Sequence, residues 1–260
     1  MFQNLDAYKL KIIAIIGMIA SHMAITWWDI IPVWLALPMY ASGGLTFPIM
    51  GYFVAEGYKH TSNLKKYILR ILMFGVIALP LHIAALTFPM GGGNPVAYPF
   101  LNIMFTIILG LLSLYLYDKI KSRVIFWIVY IIVIVPVSML FEWWFVGTTV
   151  VLLSYIILNE KARRVVPSVF AGVLHFLLAI STIGAVNTIP EEFLDNFPGV
   201  IFDPEFVSIM PFFLAGCLLA GFLLYNYNGE RGKSMKYLFY IIYPVHFAVL
   251  VGVALALGIL

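Results

Sequence analysis

Nine apolar runs separated by short polar breaks set the pattern of this 260-residue chain. They fall at about 10–29, 38–57, 67–88, 99–117, 124–141, 143–158, 165–186, 206–225 and 237–259. An α-helix needs roughly 20 apolar residues to cross a hydrocarbon layer of ~30 Å. The pattern therefore predicts an all-α fold, a polytopic integral membrane helical bundle of about nine transmembrane helices, with eight to ten as the range. The second run contains Pro38 and Pro48 and the sixth is short. A re-entrant piece around Ile30–Tyr40 would supply a tenth.

The polar breaks sort by charge. Basic residues cluster as Lys9 and Lys11; Lys59, Lys65, Lys66 and Arg70; Lys119, Lys121 and Arg123; Lys161, Arg163 and Arg164; and Arg231, Lys233 and Lys236. With nine spans, all 15 Lys and Arg residues fall on one side of the membrane. The positive-inside rule then places the N-terminus in the cytoplasm and the C-terminus outside it. The other side is expected to carry Asp29, Glu142, the glycine-rich turn Gly91–Pro95 and an acidic stretch from Asn187 to Glu205. Trp27, Trp28, Trp143 and Trp144 fall where an outer aromatic belt would lie. The acidic stretch reads as a solvated connection or as a lid or docking surface for an acceptor.

Composition agrees with this layout. Hydrophobic residues are 63% and charged residues 10%, where a soluble domain would carry roughly 25% charge. Nine spans leave no room for a separate soluble domain, so residues 1–260 read as one membrane domain. The net charge of +3 reflects topology, and no nucleic-acid partner is expected. The lone Cys217 excludes an intrachain disulfide. The first run, long and without a clear small-x-small cleavage site, reads as a retained helix rather than a signal peptide. The expected location is the plasma membrane, with multiple passes.

Ionisable groups within spans are costly and usually face the bundle interior. Lys11 and His22 bound a run without charge. Eleven residues at 100° each place them within about 20° of one another on one helix face, with a rise of ~16 Å. His82, His175 and His246 lie at similar distances from their nearest cations, all ~15–18 Å into the membrane. These four histidines read either as interhelical hydrogen-bond partners or as acid–base groups titrating near neutral pH. No short His/Cys/carboxylate spacing appears, so no metal is expected. Glu56 reads as the partner of Lys59 or a neighbouring cation. The cluster Lys59, Lys65, Lys66 and Arg70 either fixes topology or meets a phosphate-bearing molecule. Asn102 reads as a buried amide that bonds a substrate or another helix.

Several blocks resemble the TraX family, membrane proteins associated with N-terminal acetylation of pilin. They are LKIIAIIGMIASHM from Leu10, FPIMGYFVAEGYKHTSNLKKYILR from Phe47 to Arg70, NIMFTIILGLL from Asn102, and KYLFYIIYPVHFAVL from Lys236 to Leu250. Family members typically carry Asp-His where this chain has Ser21 and His22. TraX is in turn similar to the wider transmembrane acyltransferases, including the acyltransferase-3 group. That group has an arginine, ten residues and a histidine in its first helix; Lys11 and His22 match the spacing with lysine instead.

The resemblance implies acetyl (acyl) transfer from acetyl-CoA as donor substrate to an amine or hydroxyl acceptor, a peptide or pilin N-terminus or a glycan. His22 is the expected general base, His246 the second candidate, and Asn102 an expected hydrogen-bond donor to the developing oxyanion. Lys11, Lys59, Lys65, Lys66 and Arg70, with Glu56 among them, form the expected coenzyme site. The rival readings are a proton-coupled transporter and a non-enzymatic membrane component of a secretion or conjugation apparatus.

Overall fold

A computed structural model describes residues 5–87, 101–188, 203–234 and 237–258. Among these the fold is all-helical, in nine helical segments. They are α1 (Ala7–Thr26), α2 (Val33–His60), α3 (Leu64–Leu86), α4 (Ile103–Lys119), α5 (Arg123–Ser138), α6 (Trp144–Ile156), α7 (Glu160–Val186), α8 (Pro204–Tyr225) and α9 (Leu238–Ala256).

Six of these are long and apolar enough to cross a membrane by length and composition: α1, α2, α3, α7, α8 and α9. The expectation of nine full spans is thus met only in part, because α4 has 17 residues, α5 has 16 and α6 has 13. At 1.5 Å per residue α6 is only ~20 Å long. The second run begins earlier than its pattern implied: Val33 starts a continuous 28-residue helix through Pro38 and Pro48. No separate re-entrant piece forms around residues 30–40, because a short 3-10 turn, Trp28–Ile30, leads straight into α2. The Gly91–Pro95 turn and the acidic stretch through Glu191, Glu192 and Asp195 lie outside the described residues.

Short polar side chains start the helices. Asp6, Asn63, Asn102, Asn159 and Asp203 each accept a hydrogen bond from a first-turn amide, at 2.8–3.1 Å. These caps satisfy amides that no intrahelical carbonyl can reach. Two apolar runs widen into π-helical turns, Ile83–Thr87 at the end of α3 and Tyr130–Ile134 within α5.

Small residues let α1, α2 and α8 pack at their centre. A Cβ on Gly216 would collide with the carbonyl oxygen of Ala41, and one on Gly44 with that of Phe213. Ser42 and Thr46 on α2 donate to the carbonyls of Gly17 and Ala14 on α1, at 3.1 and 3.0 Å. Outward positions such as Ile16, Val76, Ile131, Leu177 and Val249 remain at least half exposed, as hydrocarbon-facing side chains should in a multi-pass membrane protein.

One end of the bundle is tied by ions. Arg163, only 6% exposed, bonds Glu56 and Glu160, each at 2.7 Å. Lys59 reaches Glu56 at 3.3 Å and Arg164 reaches Glu160 at 2.9 Å. Arg164 also donates to the carbonyl of Tyr227 at 2.7 Å. Tyr227 bridges to Leu5, and the amide of Ala7 donates to Glu230 at 2.9 Å. The N-terminus of α1 and the C-terminus of α6 therefore belong to the same end of the molecule.

Candidate active site

His22 is carried inward on the buried stripe of α1, two turns beyond Ala14 and one beyond Met18. Its Nδ1 lies 2.8 Å from Nε2 of His246 on α9. The other nitrogen of His246, Nδ1, lies 3.1 Å from the carbonyl oxygen of Ile242 one turn earlier. A carbonyl only accepts, so His246 Nδ1 carries the hydrogen and Nε2 offers a lone pair. His22 Nδ1–H then donates to it, which leaves Nε2 as the basic nitrogen of neutral His22. Phe247 stacks on the His22 ring at 4.9 Å and holds it in place.

The group facing that nitrogen is Glu142. Its Oε1 is 3.8 Å from His22 Nε2, and its Oε2 is 4.0 Å from His82 Nδ1 on α3. The sequence reading placed Glu142 on an outer loop; the structure corrects this and places its carboxylate among the bundle histidines. The reason is local. The backbone of 101–102 runs beside 140–142, with Leu101 N–H donating to Leu140 O at 2.9 Å and Glu142 N–H to Leu101 O at 2.7 Å. The first amide of α4, Ile103 N–H, donates to Glu142 Oε2 at 3.0 Å. The hydroxyl of Tyr243 donates to the same oxygen at 3.5 Å. A helix N-terminus and a phenol thus take the place of water around the carboxylate.

The next two residues turn sharply. Trp143 and Trp144 both have positive φ, 65° and 43°, a left-handed region that bulky side chains rarely occupy. Such backbone costs about 1–3 kcal/mol per residue and persists only where the surroundings over-determine it. Packing of Trp143 against Phe47 and His175, at 4.9 and 4.8 Å between ring centres, supplies that constraint. These tryptophans form an inner wall rather than the outer belt read from the sequence.

His22, His82, Glu142 and both tryptophans line a chamber of about 460 Å³. His175 lines its far side, with Nδ1 bound to the carbonyl of Ala171 at 2.8 Å. Three of the four histidines thus line the chamber, His22 and His82 beside Glu142 and His175 across from them, while His246 lines neither cavity and reaches the chamber only through His22. A second cavity of about 150 Å³ lies toward the ionic end, with Lys11, Arg231 and Lys233 on its wall. Met50, Ile107 and Phe239 line both cavities, so the two abut.

The other expected site residues are placed differently. Asn102 is fully buried but lines neither cavity. Its Oδ1 caps α4 through Met104 N–H at 3.1 Å, and its Nδ2 donates to the carbonyl of Gly75 at 2.8 Å. Lys65 and Lys66 are exposed and line neither cavity. Arg70 lies 6.0 Å from the ring of Tyr67, whose side chain does line the smaller one. Glu56 and Lys59 stand in the ionic network around Arg163. Sequence reasoning missed Glu142 as a site residue, and Arg231 and Lys233 as cavity residues. The available signal for Glu142 was its isolation between Phe141 and Trp143, in a break too short for a solvated loop.

The model of the TraX protein family matches residues 7–254. A probable fimbrial assembly protein FimC of serogroup H1 from Dichelobacter nodosus is 31% identical over 259 residues, 96% of this chain and 97% of that protein. No solved structure matches the chain significantly. A family match over nearly the whole length and a relative aligned end to end agree: the chain belongs to the TraX family.

Proposed function

We propose that this protein is a membrane-embedded acyltransferase that moves an acetyl group from acetyl-CoA to an amine or hydroxyl acceptor, with His22 as general base. The observation that carries the reading is the tautomer chain. Ile242 C=O, His246 and His22 are linked so that His22 Nε2 keeps its lone pair, facing Glu142 and the chamber.

In the reaction the acceptor attacks the thioester carbonyl as Nε2 of His22 takes its proton. The carbonyl π electrons move to oxygen, and the new C–N or C–O bond forms. Collapse of this oxyanion breaks the C–S bond, and the departing thiolate recovers the proton from His22. Glu142 stabilises the imidazolium between these steps. Proton transfer of this kind contributes typically 10²–10⁴-fold. His246 acts as a positioning residue. Asn102, with both polar atoms engaged, acts by holding the start of α4 against Glu142 rather than by touching the oxyanion.

The donor's charged end is assigned to the Lys11 edge, and its thin arm to the abutting cavities leading to His22. That edge is the cytoplasmic one if the basic residues follow the positive-inside rule. The fimbrial assembly role in the relative's name favours a pilin-like peptide N-terminus as acceptor.

His22→Ala, assayed for acetyl transfer in membranes containing folded protein, is expected to lose at least about 10²-fold in turnover. Unchanged turnover would remove His22 as the base. Gradient-driven flux without thioester consumption would instead establish a transporter.

A further inference from the structure

The loop after α8 runs Asn228-Gly229-Glu230-Arg231-Gly232-Lys233. It was legible in sequence only as one more basic break. Its backbone is built for a fixed shape: Gly229 and Gly232 both have positive φ, 86° and 64°, where a side chain would strain. Gly232 also packs directly on the Asp6 carboxylate, since a Cβ there would lie 2.6 Å from its carbon. Backbone bonds from Ala7 to Glu230 and from Asn228 to Leu5, at 2.9 and 3.0 Å, strap the loop to the start of α1.

The strap brings three cations to one place. Lys11, Arg231 and Lys233 line the smaller cavity together with aromatic rings, among them Tyr8, Phe53 and Tyr240. Lys11 Nζ lies 4.7 Å from the centre of the Phe53 ring, and Lys233 Nζ 6.0 Å from that of Tyr8. Arg163, Arg164 and Lys59 nearby are each paired with Glu56 or Glu160. Among the described residues, Lys11, Arg231 and Lys233 form no ion pair with a carboxylate. Glu230, the adjacent acid, is engaged by Asn228 at 3.1 Å. The Asp6 carboxylate against Gly232 and the neighbouring Glu230 offset part of this positive charge from behind the loop, but neither ion-pairs with the three cations, so an anion entering the cavity would still be attracted to them.

We propose that the Arg231–Lys233 loop and Lys11 form a phosphate-binding cradle, with the neighbouring rings as stacking surfaces for a base. The ligand class is a phosphorylated nucleotide end whose non-phosphorylated arm enters the larger chamber past Met50, Ile107 and Phe239. This assignment rests on the acetyl-CoA reading above and adds the loop that anchors the donor. An anionic lipid headgroup offers the same phosphate chemistry from the bilayer side.

The test is the double variant Arg231→Gln/Lys233→Gln in the full-length protein. Lys119→Gln/Lys121→Gln serves as a charge-matched control, because neither lysine lines either of the two abutting cavities. The expected result is a rise of about tenfold or more in KM for acetyl-CoA with kcat within about twofold, and no such rise in the control. In thermal-shift measurements in lipid-free detergent, coenzyme A should stabilise the wild type more than pantetheine does. The double variant should lose that preference. An unchanged KM together with a retained preference would overturn the cradle while leaving the acyltransferase reading intact. If wild-type protein is not stabilised by coenzyme A and consumes no acetyl-CoA, the donor reading itself fails. If the variant alters only the response to phosphatidylglycerol against phosphatidylcholine in nanodiscs, the site is a headgroup site and the nucleotide assignment falls.

Discussion

Glu142→Gln changes the charge beside His22 and almost nothing else. The amide oxygen of glutamine can still accept from Ile103 N–H, now 3.0 Å from Oε2, so the start of α4 keeps its partner. A neutral–neutral hydrogen bond replaces a charge-assisted one, which changes stability by only about 1 kcal/mol. The effect on the reaction is larger. A unit positive charge on His22 Nε2 sits 3.8 Å from the carboxylate oxygen. At an effective dielectric constant of about 20 that pair is worth about 4 kcal/mol, or close to three decades in rate if the charge is fully developed. A partly developed charge realises less, so the expected loss is about 10²–10³-fold in kcat. KM for acetyl-CoA should stay near the wild-type value, because the carboxylate lies away from the basic cavity. The assay is steady-state acetyl transfer in nanodiscs, with the thermal midpoint as a control for folding. A kcat within about threefold of wild type in a folded variant would refute the role of Glu142 as the counter-charge of the imidazolium.

Three further outcomes follow from the same geometry. His246→Phe keeps a ring beside Phe247 but removes the acceptor for His22 Nδ1–H; kcat should fall about 10–100-fold, as for other lost orienting partners, with KM little changed. Asn102→Ala removes the α4 cap and the bond to Gly75, worth together about 2 kcal/mol. It should lower the thermal midpoint and reduce turnover through a displaced Glu142. Arg163→Ala removes the buried guanidinium that Glu56 bonds at 2.7 Å, although Glu56 is a quarter exposed and keeps Lys59 at 3.3 Å; a loss of about 1–3 kcal/mol is expected from denaturation curves. KM for acetyl-CoA should not move in the fraction that remains folded.

The sequence carried the helical plan because each run's length and apolar character follow directly from the solvent around it. The equal counts from a cation that grouped the histidines are matched by His22, His82 and His175 lining one chamber, with His246 behind His22. Glu142 escaped because a carboxylate between two apolar runs is the ordinary mark of a water-exposed break. What draws it inside is non-local: the amide of Ile103 and the phenol of Tyr243, 39 and 101 residues away. Asn102 shows the reverse case. Its burial was read from its apolar surroundings, but capping and the bond to Gly75 absorb both polar atoms. Arg231 and Lys233 counted equally with other cations in the charge pattern. Only the strap between the loop and α1 distinguishes them.

The thirteen-residue length of α6 has a consequence for traffic to the reaction centre. Glu142 stands at the inner end of a helix ~20 Å long, in a layer of ~30 Å. With the ionic end set at one membrane surface, as the acyl-transfer proposal has it, some 10 Å would separate Glu142 from the far surface, against a rise of ~16 Å from Lys11 to His22 on the near side. In that setting the proposed centre would lie nearer one face than the other, and its two routes would place unequal demands on the molecules that use them. The proposed donor would have to be long and thin. An extended chain end covers the remaining gap in about three residues, so an acceptor still attached to a bulky body can present its terminus without that body entering the bilayer.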